Sequence, residues 1–198
     1  MRRMLALCLL SVGYVGPLSA AEWEIDPAHS NVLFFVAHYD LARSVGRFGQ
    51  IEGEFEIDPD DPTRNRAVVQ IATDSLDMGD ARFTQTMLES DWFDAEAHPR
   101  IEFRSTRVTP HGDGHWLLQG DLQVAGQARP VTLELQRYRC ATPPFTGRFS
   151  CGYSLVGTLD RREFGLDRFK RWVGHEVELR IEIELQRERS NAGPKQRR

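Results

Sequence analysis

The chain has 198 residues, 25 of them Lys or Arg and 29 Asp or Glu, for a formal net charge of −4. That length builds one domain with a substantial core. An acidic balance without a basic stripe excludes nucleic acid as a partner, and argues equally against electrostatic docking on anionic lipid.

The first 21 residues read as a secretory leader. Arg2 and Arg3 precede an apolar run from Met4 to Gly16, and Ser19 and Ala21 stand at −3 and −1 of a cut after Ala21. The run is too short for a membrane span of about 20 residues, so an integral membrane protein is not expected. Cleavage removes two arginines and no acid, taking the net charge from −4 to −6. The expected destination is the periplasm or the medium.

Beyond the leader the dominant period is two. Eight strands are expected, over 30–38, 46–57, 65–74, 100–109, 114–124, 129–139, 149–160 and 174–187. The clearest is "EVELRIEIELQ", where Val177, Leu179, Ile181, Ile183 and Leu185 alternate with charged residues. Turn clusters such as "DPDDPTRN", "PHGDG" and "TPPFTG" separate the strands. One short helix is expected near 80–90, capped by Asp80, with Phe83, Met87 and Leu88 on one face. Residues 188–198 lack apolar content and read as a frayed tail, leaving one domain over 22–187.

Consecutive strands that are apolar on one side only need a sandwich or a closed barrel, and closure removes exposed edges. At eight strands the interior holds side chains or one small ligand. These strands are long, and a tall apolar barrel is hard to fill completely. The expectation is therefore an all-β, eight-stranded antiparallel barrel with a tunnel. Its candidate wall comprises Phe34, Val36, His38, Phe55, Ile101, Phe103, Leu122, Leu133, Tyr153 and Leu155, with Trp116 a further aromatic of the same kind. Trp92, Phe93 and Phe164 fall in connecting segments, where a lid or mouth belongs.

The stretch "EWEIDPAHSNVLFFVAHYD" gathers Asp26, His29, Ser30 and His38, the parts of a hydrolase or a metal site. Spacing argues against both. His29 and Ser30 are adjacent and point to opposite faces of a strand, and no G-x-S-x-G elbow surrounds the serine. His29 and His38 are an odd number of positions apart, and H-x-H, C-x-x-C and H-E-x-x-H are all absent. No catalytic residue, cofactor or metal is assigned. Cys140 and Cys151 remain after cleavage, flanking "ATPPFTGRFS", and an oxidising compartment makes a disulfide across that hairpin the expectation.

Five blocks stand in order along the chain: "WEIDPAHSNVLFFVAH", "GRF" with Gly53, "DSLDMG" followed by "DWFDAEAHPRIEFRS", "GDLQVAGQARPVTL" and "DRREFGL". Together they resemble the YceI-like family of exported, lipocalin-like polyisoprenoid-binding proteins. The resemblance runs from about Trp23 to Leu185. It implies an extended eight-stranded barrel whose tunnel takes a long-chain amphiphile such as a polyisoprenoid, a quinone tail or a fatty amide. Family position singles out Arg161 over Arg162 for the polar end of the cavity; the alternative is an arginine bonding loop carbonyls. One departure stands out. The family's Arg-Asp-x-His-Leu helix motif is here "ARFTQTMLES", with Met87 in place of the histidine before Leu88, which removes a polar contact at that end.

The expected function is an exported, non-catalytic carrier of a long-chain lipid. Two rivals share the barrel. One is an enzyme acting on an isoprenoid or quinone with His29 or His38 as acid–base. The other is a non-binding module supporting a membrane redox partner. A homodimer is compatible with the sequence but not required by it.

Overall fold

The structure, a computed structural model, describes residues 23–112 and 114–187. The leader, its cut after Ala21 and the tail at 188–198 lie outside the described residues. Eleven strands and one α-helix follow in chain order: β1 (Trp23–Ile25), β2 (Asn31–His38), β3 (Ala42–Phe48), β4 (Ile51–Glu56), β5 (Arg66–Ala72), β6 (Leu76–Asp77), α1 (Ala81–Leu88), β7 (Arg100–Pro110), β8 (Trp116–Val124), β9 (Gln127–Ala141), β10 (Ser150–Asp160) and β11 (Val173–Arg187). Among the described residues, no helix is long and apolar enough to cross a membrane.

All strands join one antiparallel sheet in the order β4-β5-β7-β8-β9-β10-β11-β2-β3-β6, with β1 paired to β11. The sheet curls on itself because strands that are apolar on one face bury that face against each other. Among the described residues no ladder joins β3 to β4, so the barrel carries a seam. At one end the chain leaving β5 crosses it, and β6 pairs with the end of β3 through Arg47↔Asp77 and Phe48↔Leu76. Toward the other end Ile25 of β1 packs in one cluster with Phe55 and Ile57.

The strand count corrects the sequence expectation of eight. The expected strand 46–57 is two strands turning a corner at Gly49–Gln50, and pairing begins earlier, at Ala42. The reason lies in the pattern. Phe48 and Ile51 are three apart, which a regular strand would send to opposite faces, yet both are buried in the same core. The corner lets both point inward. Strands β1 and β6 are too short to show a period, so the sequence concealed them.

The expected helix is present. Asp80 caps it, its Oδ1 accepting the backbone N–H of Arg82 at 3.0 Å and of Phe83 at 2.9 Å. Met87 is buried from its inner face and Leu88 is half-buried.

The expected disulfide joins Cys140 and Cys151, which stand directly opposite in the β9–β10 ladder. It closes a loop of sequence separation 11, a constraint on the unfolded chain of about 3 kcal/mol. Trp23, Cys151 and Leu185 form a tight cluster beside it. This disulfide end is one pole of the barrel. The other pole holds α1, the Trp92–Phe93 segment, the β2–β3 hairpin and the loop between β10 and β11.

Candidate functional site

The inward residues enclose an apolar cavity of about 430 Å³. Its wall follows directly from strand alternation. On β2 the residues Val32, Phe34, Val36 and His38 face inward, while outward-facing Phe35 lies under the guanidinium groups of Arg43 and Arg180, at 4.8 and 5.1 Å. On β11 the whole series from Val177 to Leu185 noted in the sequence lines the cavity. The lining runs along β11 from Val173 to Leu185. Twelve steps of about 3.4 Å on a strand tilted about 40° span roughly 30 Å along the barrel axis.

Glycines keep this space open. Gly46 stands opposite Phe34 in the β2–β3 ladder, and a Cβ there would lie 2.2 Å from the Phe34 ring. A Cβ at Gly120 would come within 2.5 Å of the Phe103 ring. The tip of each ring lies over a glycine of a neighbouring strand, an arrangement that also shields the exposed backbone. The rings therefore hug the wall rather than crossing the lumen.

All fourteen residues singled out from the sequence line the cavity: Phe34, Val36, His38, Phe55, Trp92, Phe93, Ile101, Phe103, Leu122, Leu133, Tyr153, Leu155, Arg161 and Phe164. Trp116 does not. It packs edge-on against Tyr138 with ring centroids 6.2 Å apart, beside the Leu133–Leu135–Leu155 cluster. The extra residue of the bulge between Ser105 and Arg107 lies on β7, and β8 pairs with β9 in unbroken register from Trp116 to Val124. Leu118, Leu122 and Val124 line the cavity, while Trp116, the first residue of the strand, turns to Tyr138 instead.

The pole with α1 is closed in part by Met87, Trp92, Phe93 and Phe164. Phe93 packs between Phe34 and Phe48, with centroids 6.2 and 5.5 Å away. Met87 lines the cavity where the family motif places a histidine, so this wall position carries a thioether instead of an imidazole.

Arg161 lines the cavity but spends its donors elsewhere. Its Nε donates to the Gly174 carbonyl at 2.7 Å, one terminal nitrogen to Val173 at 3.0 Å, and the other to Leu166. Two of those carbonyls belong to the stretch where β11 shifts register against β2, between Val173 and Val177, a place where ladder bonds are lost. Arg161 thus clamps the β10–β11 loop, which agrees with the loop-carbonyl alternative rather than with a free guanidinium awaiting a head group. Burial pushes its pKa down, offset by Asp167 and Asp160.

Toward the disulfide end the wall turns polar. Tyr153 packs against Tyr138 with the rings tilted by 37° and their centroids 5.1 Å apart, and its hydroxyl accepts from Asn65 Nδ2 at 3.4 Å. Asn65 Oδ1 accepts the Asp58 N–H at 2.7 Å, and the Ser105 hydroxyl accepts the Ala67 N–H at 2.8 Å. Burial first, then the Tyr138 phenol beside it, drives the Tyr153 pKa upward. Asn65 and Ser105 escaped the sequence reading: the one ends a turn cluster and the other sits in a strand among charged residues. Among the described residues no buried side-chain nitrogen or oxygen lacks a partner.

The Asp26–His29–Ser30 constellation lies away from the cavity. His29 is exposed and its Nδ1 bonds Asp26 Oδ2 at 3.0 Å. The other oxygen of Asp26 accepts the Ala28 N–H at 2.9 Å, and Gln186 donates to Oδ2 at 2.7 Å. Ser30 is buried, its hydroxyl accepting the Glu184 N–H at 3.0 Å. Asp26, His29 and Glu184 each bring a ligand atom within 4.8 Å of the others, the one such group among the described residues. With the Asp26 carboxylate already holding three donors, the group pins the turn before β2 onto β11. The hydrogen bond to His29 lowers the Asp26 pKa and raises that of the imidazole. His38 stands apart at the exposed rim of the cavity.

A UPF0312 protein of Vibrio cholerae serotype O1 is 29% identical over 182 residues, covering 88% of this chain and 96% of the relative. A UPF0312 protein of Shewanella baltica is 26% identical over 188 residues, covering 93% and 98%. Among solved structures, BcnA of Burkholderia cenocepacia superposes with a TM-score of 0.70 at 22% identity, covering 81% of this chain and 98% of that one. A polyisoprenoid binding domain from Saccharophagus degradans, implicated in plant cell wall breakdown, gives a TM-score of 0.61 at 12% identity, covering 85% and 99%. These likenesses show a shared lipocalin-like fold. The sequence pattern of the YceI-like domain matches residues 23–185, and the chain belongs to that family.

Proposed function

We propose that this protein is an exported carrier that holds one long-chain amphiphilic lipid, of the polyisoprenoid or isoprenoid-quinone class, along the barrel axis. The observation that carries the reading is the continuous apolar cavity, lined from Tyr39 and Phe83 at one pole to Tyr153 and Leu185 toward the other. Its volume falls in the range of ligand sites, about 300–1,000 Å³. Its length favours one long chain. The hydrocarbon core of a whole bilayer is about 30 Å thick, so a chain from a single leaflet fills only about half of the tunnel. Burial at about 0.8 kcal/mol per CH₂ supplies the affinity, before the loss of ligand freedom. The polyisoprenoid binding domain of Saccharophagus degradans shares this fold, which supports the same ligand class here. Export rests on the leader sequence.

The test is native mass spectrometry of protein exported by a bacterial host and purified without detergent, followed by solvent extraction. A stoichiometric prenyl or quinone adduct is the expected result. An empty protein that also refuses added prenyl lipid would overturn the reading. A Gly46→Ala variant, whose new Cβ has side chains as its nearest neighbours, the Phe34 ring and the Met78 sulfur, pushes that ring toward the lumen and should stay folded and weaken the adduct.

A further inference from the structure

Seven large hydrophobic residues are exposed among the described residues, and five of them gather at the pole with α1: Tyr39, Leu41, Phe83, Phe169 and Trp172. Leu41 is 86% and Trp172 57% exposed. They come from separate segments but form one platform. The Tyr39 and Trp172 rings lie 5.7 Å apart, those of Trp92 and Phe169 6.1 Å apart, and the Tyr39 N–H donates to the Trp172 carbonyl at 2.8 Å. Arg168 pairs with Asp91, tying the β10–β11 loop to the segment after α1. Tyr39, Phe83 and Phe169 also line the cavity, so the patch surrounds its mouth.

The backbone is strained to present these side chains. Tyr39 and Asp40 form the two central positions of the β2–β3 hairpin with φ of 55° and 54°, and Phe169 has φ of 52°. Such positions favour Gly or Asn. Bulky residues held there mark a site kept for a purpose other than stability.

Charge is local as well. Although the whole chain is acidic, the segment "DRFKRW" (167–172) carries a net charge of +2. Among the described residues Lys170 and Arg171 make no ion pair, and both are exposed. Aromatic and leucine tips beside free cations are the composition of surfaces that sit in the headgroup region of a bilayer.

We propose that this pole docks on an anionic lipid membrane, with Leu41 and Trp172 entering the headgroup boundary and Lys170 and Arg171 meeting its phosphates. The mouth then faces the bilayer from which a lipid is drawn or to which it is returned, a consequence that rests on the carrier reading. Docking itself does not.

The experiment is flotation of the full-length exported protein with phosphatidylcholine vesicles, against the same vesicles containing phosphatidylglycerol. Binding is expected only with the anionic vesicles, and it should weaken with added salt. Lys170→Glu/Arg171→Glu should weaken it at least about 25-fold, about fivefold for each cation removed. Leu41→Ser/Trp172→Ser should abolish it. Phe145→Ser, at the exposed hairpin tip of the opposite pole, should leave it unchanged. Wild-type protein that ignores both kinds of vesicle, or that binds undiminished after the charge reversal, overturns the proposal. So does an equal loss from Phe145→Ser. Should Trp172→Ser fail to fold, the charge-reversed variant, altered at exposed side chains only, carries the test. Loading with detergent-solubilised prenyl lipid separates the two readings. Variants that load but do not float support docking, whereas a wild type that floats but never loads removes the carrier and leaves docking in place.

Discussion

The two poles of the barrel are built to opposite rules. At the disulfide end Cys151, Trp23 and Leu185 are buried beside the bridge, Phe145 stands in solvent at the hairpin tip, and Arg187 lies over both Trp23 and Phe149, at 5.1 and 5.0 Å. At the other end five large apolar side chains stand in solvent on a hairpin, a loop and a short helix. One pole is fastened covalently, and the other is held by Arg161 and a few ring contacts. On the carrier reading proposed above, a tunnel fastened at one end and loose at the other takes its ligand from the loose end, so that stability and access need not compete for the same residues.

The largest expected effect lies at the fastened pole. Leu185→Ala, at a fully buried position, should cost about 3–5 kcal/mol. Leu179→Ala should cost about 2 kcal/mol, the low end for a leucine, because its half-buried side chain borders the open part of the cavity whereas Leu185 is 1% exposed. Urea unfolding of the pair measures the contrast, and equal losses would mean a filled barrel. Removing the disulfide with Cys140→Ala/Cys151→Ala should cost about 3 kcal/mol, read as a drop in Tm of about 10 °C, while lipid loading persists. Arg161→Gln should cost about 2 kcal/mol, since carbonyls at the β11 bulge lose a charged donor. Limited proteolysis should then cut within 165–172 before any strand. Alkaline pH sharpens the comparison further. Burial raises the Tyr153 pKa, so its contribution is complete below about 10, the ordinary phenol value, and is lost as pH rises beyond it. Tyr153→Phe should flatten that decline in a pH series of thermal melts. The smallest effect belongs to the Asp26–His29 pair. The lowered Asp26 pKa gives stability that is present above about 4 and lost as pH falls; the raised His29 pKa gives stability that is present below about 6.5 and lost as pH rises. Because His29 is exposed, His29→Ala should change Tm little, whereas Asp26→Ala, which releases three donors, should lower it.

Period two along Val177–Leu185, Val32–Val36 and Val131–Leu135 determined from the sequence that the protein is built of strands apolar on one side, which need a sandwich or a barrel, because side-chain alternation is a local property of an extended chain. The number and length of the strands and the family blocks favoured the barrel. The same alternation marked the wall residues, and Cys140 and Cys151 marked the bridge. Tertiary structure decided the rest, because the rest depends on contacts distant in sequence. The corner at Gly49–Gln50 exists so that Phe48 and Ile51 can both reach the core. Arg161 finds its acceptors in carbonyls freed by a bulge twelve residues away, at Val173 and Gly174. Asn65 meets Tyr153 across 88 positions of chain. The exposed platform draws on residues near 40, 83 and 170, none of which is unusual alone. Only the curl of the sheet, which brings those segments to one pole, makes them a surface.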